Sequence, residues 1–179
     1  MVRFLLVVQR YLACFFIGGL LVASVVRAQG TATYELTFTP TWSASTHPDG
    51  FPPNPHFSGL IGATHNDAVH FWRTGEVATE GIRQMAELGA KGALRSEINL
   101  AKGDSNADYI VDASGVNSPG VRKTTFEIRP PWSLVTVTSM LAPSPDWFVG
   151  VSGLSMLDED MNWIDTLEID LFVYDAGTD

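Results

Sequence analysis

Two aspartates, Asp175 and Asp179, stand four positions apart in the run Asp175-Ala176-Gly177-Thr178-Asp179. A third aspartate, Asp146, lies in the turn-forming run Pro143-Ser144-Pro145-Asp146-Trp147. Calcium takes six to eight oxygen ligands in flexible geometry, so loops beyond strand ends can offer it carboxylates and backbone carbonyls together. These three aspartates are therefore our candidate metal ligands, and calcium is the metal that they predict.

The residues around these aspartates suit a ligand loop. Pro143 and Pro145 restrict the backbone next to Asp146, which reduces the entropy lost when a ligand is held in place. Gly177 permits a tight turn between the other two aspartates. Carboxylates gathered at one point repel one another unless a cation lies among them. The spacing alone leaves ordinary exposed turns as the alternative.

Two other acidic runs compete as calcium sites. Asp158-Glu159-Asp160-Met161-Asn162 begins like an EF-hand loop, but Trp163 occupies the position of the required glycine and Ile169 that of the bidentate glutamate. The run from Asp104 to Asp108 departs from the pattern in the same way. We interpret both runs as solvated turns.

The four histidines of the chain, His47, His56, His65 and His70, fall within 24 positions. Zinc sites usually combine three or four Cys, His or acidic ligands in regular geometry. The sequence has no His-Glu-x-x-His motif and no Gly-x-Ser-x-Gly nucleophile motif. We therefore predict hydrogen-bonded structural histidines and no enzyme activity. The alternative function is a secreted metal-dependent hydrolase that uses His56 or His65.

Residues 1–28 have the composition of a secretory signal peptide. Arg3 and Arg10 supply the positive segment, an apolar stretch follows from Tyr11 to Val26, and Val26-Arg27-Ala28 resembles a cleavage site. An uncleaved N-terminal anchor is the alternative, because the apolar stretch is only slightly shorter than the ~20 residues of a membrane-spanning helix. The single cysteine, Cys14, lies in this leader, so we expect no disulfide in the exported domain.

Removal of 28 of the 179 residues leaves 151 residues, 29–179, which suit one domain. The leader contains three arginines and no acidic residue, so the remainder has 20 acidic and 8 basic side chains, a net charge of −12. This charge disfavours nucleic acids and anionic membranes as partners. We expect a secreted protein, extracellular or periplasmic, that is not inserted in a membrane once the leader is removed and binds an extracellular protein or glycan.

Hydrophobic patterning predicts mostly strands. Residues 34–39 and 124–128 alternate apolar and polar side chains, and residues 134–141 form the continuous apolar run of a central strand. Leu167, Ile169, Leu171 and Val173 are predicted to share one face of a strand, and residues 68–72 to form a short one. Helical spacing predicts a helix over 77–88 that ends at Gly89 and a second helix over 94–101. The pattern indicates an antiparallel β-sandwich with one or two short inserted helices.

The mature sequence also resembles the spondin-type domain, the N-terminal module of F-spondin and mindin. The matching blocks extend over nearly all of residues 29–179 and are Trp42-Ser43, Thr46-His47-Pro48, Phe51-Pro52, His56-Phe57-Ser58, Ile61-Gly62-Ala63-Thr64-His65, Trp72 with Gly75, Ala86-Glu87 with Gly89, Ser144-Pro145-Asp146-Trp147 and Asp175-Ala176-Gly177-Thr178-Asp179.

This resemblance implies an eight-stranded, C2-like sandwich with calcium at one end, held by Asp146, Asp175 and Asp179. It implies a secreted binding or adhesion module, and structural roles for the histidines and for Trp42, Trp72 and Trp147. Animal members contain cysteines and further domains that residues 29–179 lack. Family members also continue past this last motif with another strand-like segment, so we expect the domain to be truncated at Asp179.

Overall fold

Alternating side chains build two antiparallel sheets that face each other across an apolar core. The computed structural model describes residues 4–11 and 30–178. Its strands are β1 Phe4–Arg10, β2 Ala32–Pro40, β3 His56–Phe57, β4 Ile61–His65, β5 Ala107–Asp112, β6 Val116–Asn117, β7 Arg122–Ile128, β8 Leu134–Ala142, β9 Trp147–Ser155, β10 Thr166–Leu171 and β11 Val173–Asp175. The two helices are α1 Glu80–Leu88 and α2 Gly92–Gly103. The predicted antiparallel sandwich with two short helices is thus confirmed.

The first sheet has the order β10-β1-β2-β7. Along β2 every second residue is buried, including Tyr34, Leu36 and Phe38, while the residues between them are half-exposed. The buried face packs against the second sheet, where Val135 and Val137 of β8 lie in the same core. A strict period of two is what one covered and one solvated sheet face requires.

The second sheet has β8 at its centre. Strand β9 pairs with one edge of β8, strands β4 and β3 pair with the other, and β11 adds to the outer edge of β9. Both faces of this sheet are covered, because the helices pack on the side away from the first sheet. All five residues of β4 are consequently buried.

The helices begin and end at recognisable caps. The Thr79 hydroxyl accepts a hydrogen bond from the Ile82 amide at 3.2 Å, so α1 starts three residues later than the sequence predicts. It stops at Gly89, as predicted, with φ +64° and a 3.0 Å hydrogen bond from its amide to the Met85 carbonyl. Apolar side chains of both helices form one cluster with Ile61, Ala63 and Phe148 of the second sheet.

Two strand predictions are wrong. Residues 68–72 form no strand, because the Asn66 side chain accepts a hydrogen bond from the Ala68 amide at 3.0 Å and begins a turn. Val173 does not continue the face of Leu167, Ile169 and Leu171. The chain crosses at Phe172 from the first sheet to the second, where Val173 pairs with Val149 of β9.

Strand β1 belongs to the segment that the sequence identifies as a leader. It lies between β2 and β10 and pairs antiparallel with both. Residues 12–28 and Cys14 lie outside the described residues. The resemblance implies eight strands and the described residues form eleven, of which β3 and β6 contain only two residues each.

Replacement of Gly150 by alanine is expected to destabilise the domain by about 1–3 kcal/mol, the usual cost of overpacking. A β-carbon at this position of β9 would lie 2.4 Å from the Val137 carbonyl oxygen of β8, a backbone atom that cannot turn aside. Urea unfolding measures the effect. The matched control is Gly92→Ala in α2, where a β-carbon meets no atom within 4 Å. We expect Gly92→Ala to be neutral or slightly stabilising, and equal losses in both variants would contradict the packing argument.

Candidate metal centre

The end of the sandwich where β9 begins brings two of the three candidate aspartates together. Strand β11 pairs with β9 so that Asp175 lies opposite Trp147, the residue after Asp146. The Ala176 amide donates a hydrogen bond to the Asp146 carbonyl at 3.2 Å. The two motifs that the sequence separates by 28 positions are thus joined by the pairing of the last strand. Asp179 lies outside the described residues.

The Asp146 side chain is fully buried, with an exposed fraction of 0%. Its Oδ2 accepts hydrogen bonds from the amide of Thr178 at 2.8 Å and from the Thr178 hydroxyl at 3.3 Å. Its Oδ1 is buried and has no hydrogen-bond partner among the described residues. A buried charged oxygen with no partner costs more free energy than a neutral one, so Asp146 is a carboxylate whose burial the described residues compensate only in part.

The turn that carries Asp146 is held by Ser144. Its hydroxyl accepts a hydrogen bond from the Trp147 amide at 3.1 Å and donates one to the Leu141 carbonyl at 2.5 Å. The turn is therefore fixed at both of its ends to β8 and β9, and these bonds determine the position of Asp146. Sequence reasoning assigned stiffness to the prolines and did not identify this role of Ser144.

The second loop is shaped by Asp175 and Gly177. The Asp175 Oδ1 accepts a hydrogen bond from the Gly177 amide at 2.7 Å, and Gly177 has φ +68°, a conformation that favours glycine. Asp175 is exposed. Among the described residues, neither Asp146 nor Asp175 forms an ion pair with a lysine, arginine or histidine. Thr178 is the member of this site that the sequence analysis missed, and its position between two aspartates was the only available signal.

Aromatic side chains pack around the paired strands β9 and β11 next to the site. Trp72, 8% exposed, packs edge-on against Phe148 and Tyr174, with ring centroids 5.1 and 4.7 Å apart. Elsewhere, Trp42 packs against the main core and contacts Phe51 edge-on, with ring centroids 5.2 Å apart. These two tryptophans have the structural roles that the resemblance implies. Trp147 differs, because 44% of its surface is exposed directly beside Asp146.

The two competing acidic runs are occupied by internal contacts. The Asp158 Oδ1 accepts hydrogen bonds from the amides of Asp160 and Asn162 at 2.9 and 2.8 Å, which closes a local turn. Asp108 accepts two hydrogen bonds from the Arg129 guanidinium at 2.7 and 2.9 Å, and these lower the pKa of Asp108. Within residues 4–11 and 30–178, no group of three or more His, Cys, Asp or Glu side chains is placed to hold a metal ion.

His65 lies in the wall of a cleft of about 610 Å³ together with Asp67 and His70. Both of its ring nitrogens are engaged, because Nδ1 lies 2.7 Å from the Asn66 carbonyl and Nε2 lies 2.8 Å from the Thr136 hydroxyl. Since a carbonyl only accepts, Nδ1 carries the proton and Nε2 accepts from Thr136. The Thr136 hydroxyl oxygen in turn accepts from the Gly153 amide at 2.9 Å.

The other histidines near this cleft and in the loop before β4 are also bonded. His70 contacts the Glu76 carboxylate at 2.8 Å, and His56 contacts the Asn54 carbonyl at 2.9 Å. Through Thr136 and Gly153, His65 links β4 to β8 and β9. Since His56 and His65 are both held by such contacts, the geometry gives no support to the alternative of a hydrolase that uses either of them.

This architecture defines a β-sandwich module in which the loops that carry Asp146 and Asp175 meet at one end. Comparison with known proteins identifies the family of this module. The Spondin_N family matches residues 32–179, and the chain belongs to this family. Members of the family are extracellular, and the chain is a secreted protein. No helix formed by residues 4–11 and 30–178 is long and apolar enough to cross a bilayer.

Two curated relatives show the extent of the likeness. The chain is 35% identical to Spondin-2 of Homo sapiens over 161 residues, which cover 87% of this chain and 48% of the relative. It is also 35% identical to Spondin-1 of Gallus gallus over 158 residues, which cover 85% of this chain and 20% of the relative. The chain thus spans about half the length of the first relative and a fifth of the second.

The stability of the domain is expected to fall as the pH drops below about 6.5. Burial lowers the pKa of His65 from its ordinary value of 6.5, so the unfolded chain takes up a proton at a higher pH than the folded one. The stability is therefore complete above pH 6.5 and decreases below it, with a slope of at most about 1.4 kcal/mol per pH unit. Denaturant unfolding between pH 7.5 and 5.5 measures this slope.

The control for this prediction is His65→Gln, which can accept and donate hydrogen bonds without titrating. The variant is expected to be less stable at pH 7.5 and to show a flatter pH dependence. An identical slope in the variant and the parent protein would show that His65 does not determine the response.

Proposed function

We propose that this protein is a calcium-binding extracellular module. Asp146, Asp175 and Asp179 supply carboxylates to the ion, and loop carbonyls and water complete its coordination. The observation that carries the proposal is Asp146, a fully buried carboxylate whose Oδ1 has no partner among the described residues. Buried charge is retained in proteins where a counter-charge or a metal compensates for it.

The donor chemistry of the two loops fits calcium better than other biological metals. The candidate side chains are carboxylates, which suit hard cations, whereas zinc prefers cysteine and histidine. Thr178 binds one oxygen of Asp146 and thereby leaves Oδ1 as the atom that can act as ligand. The loops are irregular, which suits the flexible coordination of calcium and not the strict octahedron of magnesium.

Calcium at this position would stabilise the domain through two effects. It would add a further link between the loop of residues 143–146 and that of residues 175–179, which hydrogen bonds from Ala176 and Thr178 to Asp146 already connect. It would also offset part of the mutual repulsion of a domain with a net charge of −12 after leader removal. A metal that binds only the folded state adds about 2.7 kcal/mol of stability at 100 times its dissociation constant.

We further propose that the module acts in extracellular binding or adhesion and not in catalysis, with an extracellular protein or glycan as partner. The acidic charge disfavours nucleic acids. Trp147 supports a contact role, because it is a large aromatic residue, 44% exposed, adjacent to the proposed ion. Aromatic residues of this kind are enriched at the centres of binding interfaces.

Calcium is expected to raise the melting temperature of the protein, and Asp146→Asn is expected to abolish this increase. In chelator the variant should be at least as stable as the parent protein, because asparagine keeps an acceptor for Thr178 and removes a buried charge. At a calcium concentration 100 times the dissociation constant the parent should gain about 2.7 kcal/mol and the variant nothing, so the lead of the variant in chelator should shrink or reverse by that amount. Thermal unfolding of both proteins in calcium and in chelator measures their relative stability in each condition.

The matched control is Asp160→Asn, which makes the same chemical change in the exposed acidic loop of residues 158–162. It should retain the full calcium response. A parent protein that melts at the same temperature in both conditions would refute calcium binding. An equal response in the Asp146 and Asp160 variants would refute this site.

Trp147→Ala is expected to separate partner binding from calcium binding. Arrays of glycans and of purified matrix proteins, probed with the calcium-loaded full chain, supply the binding signal. The variant should lose that signal by tenfold or more and keep its calcium-dependent melting shift, since the tryptophan ring offers no ligand atom. Asp146→Asn should lose both responses. A Trp147→Ala protein that keeps the full binding signal would show that the partner binds to another surface.

A further inference from the structure

Arg122 carries a positive charge for which the described residues supply no carboxylate. Within residues 4–11 and 30–178, every other arginine forms an ion pair with an aspartate or a glutamate, and these arginines are Arg10, Arg73, Arg83, Arg95 and Arg129. The chain contains 20 acidic and 11 basic side chains, so carboxylates are in excess. The lack of an ion pair at Arg122 is therefore a property of its place in the fold and not of the composition.

The side chain of Arg122 starts from the covered face of the first sheet. Along β7, Arg122 shares one face with Thr124, Phe126 and Ile128, and the last two have exposed fractions of 0%. The Nε atom of Arg122 is also buried and has no hydrogen-bond partner among the described residues. A buried donor of a charged group costs free energy when no acceptor compensates for its lost hydration.

Among the described residues, one neutral acceptor holds the guanidinium. The Nη2 atom donates a hydrogen bond to the Gly115 carbonyl at 2.6 Å, which links the first residue of β7 to the residue before β6. A guanidinium has five N–H bonds, and the others of Arg122 find no acceptor within the described part of the chain. The contact with Gly115 thus orients the side chain but leaves its charge uncompensated.

Arg122 lines a cleft of about 460 Å³, which we call the Arg122 cleft. Its other walls come from β3, from β6 and from the turn between β6 and β7. None of the described residues that line it is an aspartate or a glutamate. Phe57 and Val116 give it an apolar wall, because Phe57 belongs to the main core and Val116 packs against that core. An ion pair in partly apolar surroundings is stronger than one in open water.

His56 and Asn117 add polar side chains to the lining of the Arg122 cleft. The His56 Nδ1 atom lies 2.9 Å from the Asn54 carbonyl, so Nδ1 carries the proton and Nε2 is the acceptor of the neutral ring. The Asn117 side-chain amide can both donate and accept hydrogen bonds. A ligand that offers a carboxylate to Arg122 and peptide groups to His56 and Asn117 would engage all three polar side chains.

A single carboxylate is the anion that suits this cleft. The planar fork of a guanidinium binds a carboxylate through two parallel hydrogen bonds. Polyanions such as sulfated glycans are disfavoured, because the chain has a net charge of −9. A sugar acid is disfavoured as well, since the phenyl ring of the lining, Phe57, has an exposed fraction of 1% and offers no face for stacking.

We propose that the Arg122 cleft binds an acidic side chain of an extracellular protein, presented on a peptide segment with aliphatic neighbours. The carboxylate supplies the acceptor that the guanidinium lacks among the described residues. The aliphatic neighbours pack on Val116 and on Val121, whose exposed fraction is 55%. No residue of the cleft belongs to the loops of residues 143–146 and 175–178, so this site goes beyond the proposed calcium centre and needs no metal.

The test is an NMR titration of the full chain, recovered after export, in buffer without added calcium. The probe is a tripeptide of valine, glutamate and valine, blocked at both ends so that the side chain supplies its only carboxylate. The matched control tripeptide has glutamine in place of glutamate. Free glucuronate serves as a sugar acid, and the Nε–H signal of Arg122 reports contact with the guanidinium.

We expect the glutamate tripeptide to bind at least tenfold more tightly than the glutamine tripeptide and to shift the Nε–H signal of Arg122. Arg122→Gln should weaken binding of the glutamate tripeptide at least tenfold, because it removes the charge and the fork. Arg73→Gln makes the same change at an exposed arginine of another loop and should alter the affinity less than twofold. Glucuronate should bind more weakly than the glutamate tripeptide.

Equal affinity for the two tripeptides, or no response to the glutamate tripeptide at millimolar concentration, would overturn the proposal. Saturation with the glutamate tripeptide without a change in the Arg122 signal would show that the carboxylate binds elsewhere. Tighter binding of glucuronate would assign the cleft to a sugar acid instead. All of these measurements use the parent protein, so the proposal is tested even if Arg122→Gln does not fold.

Discussion

Strand β8 is covered on both faces, and this double burial constrains the rest of the domain. The first sheet packs on Val135 and Val137, and the helices cover the opposite face. Thr136 and Thr138 are therefore buried and need partners, which they find in the His65 ring and in the Ile61 carbonyl at 3.2 Å. Because β8 is paired along both edges and these two buried hydroxyls are bonded, the strand forms a rigid base for the turn that leaves its end.

The turn between β8 and β9 holds the Asp146 carboxylate in a buried position at the end of the sandwich. Asp146 follows β8 by four residues and begins the return along β9, so its position is determined by two paired strands and by the Ser144 hydroxyl. Thr178 approaches from the other side and binds only one of its two oxygens. The protein thus holds a charge in place with fewer partners than a carboxylate can accept. An arrangement of this kind is stable when a cation supplies the missing interaction.

The sequence predicted what depends on neighbouring residues and missed what depends on distant ones. Alternation identified β2 and β7, and glycine at the left-handed position identified the end of α1. The burial of Asp146 and the role of Thr178 could not be predicted from spacing, because both arise from the pairing of β11 with β9. Residues 68–72 have the composition of a strand, but an asparagine side chain turned the backbone away. The resemblance named the candidate aspartates, and the structure adds their surroundings.

The connection from β10 to β11 consists of Phe172 alone, and its length cannot change without displacing β11. Leu171 is buried in the main core with the first sheet, and Val173 is already paired in the second, so a single residue closes this corner of the sandwich. Side chains alternate along a strand, and a deletion of Phe172 would exchange the two faces of residues 173–175. Tyr174 would leave its aromatic neighbours, and Asp175 would move to the opposite face of the sheet. Insertions and deletions should therefore be tolerated in the surface loops of this domain far more readily than at this corner.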